Sequence, residues 1–97
     1  MQVKIPILKE YISFRSEARN IESRIKKELK KNHSSVASLD FSEVVFISRG
    51  FADELLNVIE KFDGNGKKIL FFNIKPEIKK LISIVKQSKE KIRNTVL

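Results

Sequence analysis

Apolar and polar residues alternate from Gln2 to Leu8, where Val3, Ile5 and Ile7 are separated by Lys4 and Pro6. Successive side chains of an extended chain point to opposite faces, so this segment predicts a half-buried strand. Pro6 has no amide hydrogen and restricts that strand to an edge or its own end. Tyr11, Ile12 and Phe14 then lead into a change of period. Phe14, Ala18, Ile21, Ile25 and Leu29 recur at helical spacing and predict a helix from Phe14 or Arg15 to Lys31, capped by the side-chain oxygen of Ser13 or Ser16. Asn32-His33-Ser34-Ser35 breaks the pattern, and Val36 to Phe41 reads as a short apolar strand. Val44 to Ile47 runs on into Ser48-Arg49-Gly50 and a second helix, with Phe51, Leu55, Val58, Ile59 and Phe62 on its stripe. Asp63-Gly64-Asn65-Gly66 ends it with turn chemistry. Ile69 to Ile74, ILFFNI, is the most strand-like segment of the chain. Pro76 suits the first turn of a last helix, whose stripe is Ile78, Leu81, Ile82, Val85 and Ile92.

The order β-α-β-α-β-α predicts an α/β fold: a mostly parallel sheet of three or four strands with right-handed crossovers and helices packed on it. The 97 residues suit one domain, with a core over about 2–92 and a short tail at 93–97. A simple strand order would place all three helices on one face and leave the other bare. Yet Ile69-Leu70-Phe71-Phe72 is apolar on both sides of its pleat, as strands buried on two faces are. The expectation is therefore either a changed strand order or a cover for the bare face, a homodimer or another partner among the candidates.

Composition narrows the chemistry. The chain has no cysteine, which excludes disulfides and thiolate chemistry, and one histidine, His33, expected in a solvated loop. Neither a metal site nor a cofactor is expected. No run approaches the roughly 18 apolar residues of a membrane span, and the first residues lack the apolar core of a signal peptide, so the expected location is the cytoplasm. The net charge of +8 is unevenly spread. Arg15 to Lys31 carries seven Lys/Arg against three Asp/Glu, Lys75 to Arg93 seven against two, and Asp40 to Lys61 two against five. Two basic helices thus flank an acidic one, and nucleic-acid binding by the basic pair is the alternative function. Against it, the chain has no recognised reader motif, one tyrosine, and phenylalanines at core spacing with none interleaved in a basic stripe.

Ser13-Phe14-Arg15-Ser16-Glu17-Ala18-Arg19, Leu39-Asp40-Phe41 with Val44, and Ile47-Ser48 through Phe51-Ala52-Asp53-Glu54-Leu55 resemble the signature of the STAS-like domain of unknown function, over roughly Ser13 to Ile82. That bacterial family is similar to the STAS domains of anti-sigma-factor antagonists, α/β modules that bind a histidine-kinase-like ATPase acting on serine. The resemblance implies a regulatory protein-interaction domain in signalling and no enzyme. In the antagonists the turn before the central helix carries an acid, two serines and a glycine, with the second serine phosphorylated. An ungapped reading places Ser48 at the acid, Arg49 at the first serine and Gly50 at the acceptor; a gap aligning the glycines places Arg49 at the acceptor. Neither leaves a hydroxyl at the switch, and Ser48 is expected to cap the helix instead.

Ligands of parallel α/β folds bind where strand ends meet helix starts, and Arg15, Asp40, Ser48, Arg49, Asp53 and Glu54 map there. Two readings of this group stand side by side. In one, Asp53 and Glu54 occupy a helix's first turns because its positive end stabilises carboxylates by about 0.3 to 1 kcal/mol each, with Arg15 paired to one of them. In the other, Ser48, Arg49, Gly50, Asp53 and Glu54 form a partner-binding site, with Arg15 and Asp40 as an anion or structural cluster. Asp53 and Glu54 are unsuited to acid/base catalysis as a pair, since adjacent helical residues point about 100° apart.

Overall fold

The computed structural model describes the backbone of residues 2–95 and the side chains of residues 2–91. Three strands, β1 (Gln2–Pro6), β3 (Val36–Asp40) and β5 (Lys68–Phe72), form an all-parallel sheet in the order β1-β3-β5. Between them run α1 (Arg15–Lys31) and α2 (Arg49–Gly64), and α3 (Pro76–Thr95) follows. A second, two-stranded parallel sheet pairs β2 (Tyr11–Ile12) with β4 (Phe46–Ile47). The α/β fold read from the periodicity is the one observed.

Helix α2 packs between α1 and α3, which share no comparable contact with each other. The core lies between these helices and one face of the sheet: Val3, Ile5, Ala37 and Leu39 from the strands meet Ala18, Ile21, Ile25, Phe51, Leu55 and Val58 from α1 and α2. Phe41 and Phe71 pack edge to face with ring centroids 5.5 Å apart. Fully burying each such side chain is worth about 1.5 to 3 kcal/mol, so these stripes, more than helix propensity, fix the layers.

Three expectations need correction. The strand order is the simple one, and the face away from the helices carries Lys4, Ser38, Asp40, Lys68, Leu70 and Phe72. Strand β5 is thus not buried on two faces: Leu70 is half-buried and Phe72 exposed. Phe14 does not join the core stripe. It is the residue before α1, and its extended backbone (φ −110°, ψ 142°) leaves the ring exposed and the helix without a side-chain cap from Ser13 or Ser16. Finally, α3 continues to Thr95, past the expected start of a tail; Ile92 lies outside the described side chains and Val96 and Leu97 outside the described residues.

Candidate partner-binding site

The turn into α2 is built by one serine. Ser48 caps the helix, its Oγ accepting from the Phe51 amide at 3.0 Å while its hydroxyl donates to the Ser13 carbonyl at 2.7 Å. The Ser48 amide donates to the Ile12 carbonyl at 2.9 Å. The start of α2 is thereby stitched to the start of α1 through the small sheet, with Ile12 and Ile47 buried beneath it. Gly50 follows in the first turn, and a β-carbon there would lie 3.7 Å from the Arg15 side chain, in ordinary contact. Close packing therefore does not require glycine. Arg49 is exposed, with Nη2 donating to Ser88 Oγ of α3 at 3.4 Å.

One carboxylate ties three helices. Asp53 accepts from Arg15 of α1 at 2.6 Å on one oxygen and from Lys89 of α3 at 2.7 Å on the other. Lys89 also donates to Asn57 at 2.7 Å, and Asn57 to Glu54 at 3.1 Å. Glu54 faces Arg19 at 3.6 Å and Arg15 at 3.9 Å. The hydrogen bond from Lys89, and after it that from Arg15, holds the Asp53 carboxyl below the ordinary carboxylate range. The same pairing with Asp53 raises the Arg15 guanidinium. The first turn of α2 contains no acidic residue, so the helix dipole, which acts within that turn, does not account for Asp53 and Glu54. Their partners do.

Asp40 does not join Arg15. Its Oδ1 accepts from the Asn73 amide group and the Ser42 backbone amide, both at 3.0 Å, and these bonds, Asn73's first, lower its pKa. Asn73 adopts φ 54°, a left-handed conformation that asparagine tolerates better than most residues. Asp40 thus joins the loops that leave β3 and β5, and Lys75 clamps the same region by donating to the carbonyls of Ser42 and Val44.

Beside the charged cluster lies an apolar shelf that the sequence reading did not single out. Tyr11 and Phe46 are register partners on the outward side of the small sheet, 65% and 48% exposed, and Leu8, Phe14 and Val45 are exposed on the adjoining segments. Two-residue strands are too short for alternation to reveal them. Lys89 was also missed as a member of the cluster; it lies one helical turn beyond buried Val85, a spacing that could have placed it facing α2. His33 is exposed in its loop as expected. Among the described residues no group of acidic or histidine side chains could hold a metal ion, and no helix is long and apolar enough to cross a membrane.

The chain is thus a two-layer α/β domain with a partly exposed polar cluster at the turn into its second long helix. The model of the STAS domain family matches residues 8–96, and the chain belongs to that family. Searches of curated proteins and of solved structures gave no match. Family membership makes a regulatory protein-interaction module the broad function.

Proposed function

We propose that this domain is a signalling adaptor that docks a partner protein, of the histidine-kinase-like ATPase class, at the turn Ser48-Arg49-Gly50 with Asp53 and Glu54, and that no phosphoserine at this turn switches it. The observation that carries the proposal is the neighbourhood of the turn: Tyr11 and Phe46, paired and exposed on the small sheet, each stand two residues before Ser13 and Ser48, which the cap joins, and exposed Phe14 directly precedes Arg15 of the charged cluster. Apolar, aromatic centres with polar rims are what protein interfaces are made of. Exposed apolar groups gathered in this way call for a partner. The Ser48 hydroxyl is engaged as both donor and acceptor in the fold, and phosphorylating it would break the bond to the Ser13 carbonyl.

The nucleic-acid alternative loses support from the packing, since the acidic α2 lies between the two basic helices. One observation keeps it worth testing: the groove between the ends of α1 and α2 is lined by Lys26, Lys30, His33 and Lys67 and by no carboxylate.

The test titrates the purified domain against each purified histidine-kinase-like ATPase of its source, with and without ATP. Arg49→Glu and Phe46→Glu should abolish binding with unchanged melts, and no phosphate should appear on Ser48. Binding that survives both substitutions would refute the docking site, and stoichiometric phosphate on Ser48 the absence of a switch. Binding instead to an oligonucleotide, with affinity falling steeply as salt rises, would favour the alternative.

A further inference from the structure

The two edges of the main sheet differ. In a parallel ladder a residue's N–H and C=O point to the same side, and successive residues alternate sides. At the β1 edge the Ile7 amide bonds inward to the Asp40 carbonyl, so residues 3, 5 and 7 face β3, and Gln2, Lys4 and Pro6 face outward. Pro6 has no amide to offer a neighbour, and its carbonyl already accepts from Arg24 Nη2 at 3.0 Å. Lys4 adds a charge. Proline, charge and a covering side chain are the devices that keep an edge strand from pairing.

The β5 edge has no proline, and its one charge, Lys68, stands at the first residue of the strand. The Lys68 amide bonds to the Ser35 carbonyl and the Phe72 carbonyl accepts from the Phe41 amide, so 68, 70 and 72 face β3. Ile69 and Phe71 therefore turn both backbone groups outward, and among the described residues β5 has no second strand beside it. The strand is KILFF, with Ile69, Leu70 and Phe71 half-buried and Phe72 45% exposed.

We propose that β5 pairs with β5 of a second copy, antiparallel about a two-fold axis through Leu70, to make one six-stranded sheet. The register follows from the outward groups. Ile69 of each copy exchanges both backbone hydrogen bonds with Phe71 of the other, and Leu70 meets Leu70 as the close, non-hydrogen-bonded pair on the axis. The sequence is self-complementary in this arrangement: the apolar centre meets itself, and Lys68 comes opposite Phe72, whose own register partner on β3 is Asp40. Each copy's basic end thus lies on the same sheet face as the other's Asp40, one strand beyond Phe72. An antiparallel pair closes after two copies, which a heterologous contact along the edge does not guarantee. The partner that fits this edge is a second copy of the chain.

The chain has no cysteine, so single cysteines report this geometry cleanly. β-carbons of directly opposed residues lie roughly 4.5 to 5.5 Å apart, near the separation a disulfide spans. Leu70→Cys should oxidise to a covalent dimer, and faster than Ser83→Cys, an exposed position on α3. The unaltered chain should sediment at twice the 11.3 kDa of one copy at high concentration. Leu70→Lys and Leu70→Glu should each be monomeric, with thermal melts showing they remain folded, and a mixture of the two should recover the dimer. A monomer at every soluble concentration, Leu70→Cys cross-linking no faster than Ser83→Cys, or a dimer that persists in Leu70→Lys would each overturn the proposal.

Discussion

Asp53 is the most informative residue to perturb because α1, α2 and α3 all meet at its carboxylate. Asp53→Asn preserves shape and removes charge. The Asp53 side chain is 28% exposed and that of Lys89 21%, whereas Arg15 is 49% exposed. The pair with Lys89 is therefore the better shielded, above the 0 to about 1 kcal/mol of a surface pair but short of the roughly 3 to 5 kcal/mol lost when a buried pair is broken. We expect Asp53→Asn to destabilise the domain by about 1 to 1.5 kcal/mol, which in a chain of this size lowers Tm by roughly 4 to 12 °C. Thermal melts of Asp53→Asn, Lys89→Met and the double variant form a cycle whose coupling should be at least about 0.5 kcal/mol. The pH dependence has a definite sign. The folded carboxyl has the lower pKa, so its contribution is complete above the unfolded value near about pH 4 and is lost as pH falls through the folded value. Wild type and Asp53→Asn should converge at the acid end of that window. A Tm change under about 1 °C, or no coupling with Lys89, would refute the structural role of this cluster.

Ser48→Ala should cost about 1 to 2 kcal/mol in a denaturant titration, since it removes a helix cap together with the bond to the Ser13 carbonyl. Leu55→Ala, at a fully buried position, should cost roughly 2 to 5 kcal/mol by the same measurement, a large share of the domain's stability. Tyr11→Ser and Phe46→Ser should each change stability by no more than about 0.5 kcal/mol, because both rings are exposed, while reducing binding to the partner. Asn73→Val should be destabilising by at least about 1 kcal/mol in a melt, as a β-branched residue is strained at φ 54° and the bond to Asp40 is lost.

What the sequence made legible was what one periodic segment determines by itself. The stripes of α1 and α2, the third long strand, Pro76 at the start of α3 and Ser48 as a cap each follow from local spacing or the chemistry of one side chain, although that strand runs over Lys68–Phe72 and stops short of Ile74 because Asn73 turns to φ 54°. The failures share a cause: they depend on where a chain segment turns in space. Phe14 lies four residues before Ala18 and so fits the stripe on paper, but it precedes the helix and its ring swings away. Asp40 ends a strand near the candidate turn, yet its reach is taken by Asn73, from a loop 33 positions away. The link between Lys89 and Asp53 joins residues of two helices whose relative rotation no single stripe specifies. The candidate site's geometry was therefore readable in its turn and in the pairing of Arg15 with Asp53, and unreadable in its third helix and the exposed aromatic residues beside it.

A partner docked as proposed would cover the start of α2 and the small sheet beside it. The first amides of a helix lack intrahelical acceptors, and in α2 those of Phe51 and Ala52 are held by Ser48, leaving Arg49 and Gly50 to exchange with solvent. Hydrogen exchange of the domain with and without the ATPase proposed as its partner reads this directly. Exchange should slow across residues 45–50 on binding, with the basic groove at Lys30 and Lys67 unchanged. Slowing confined to that groove, or none at residues 45–50 in a formed complex, would contradict it.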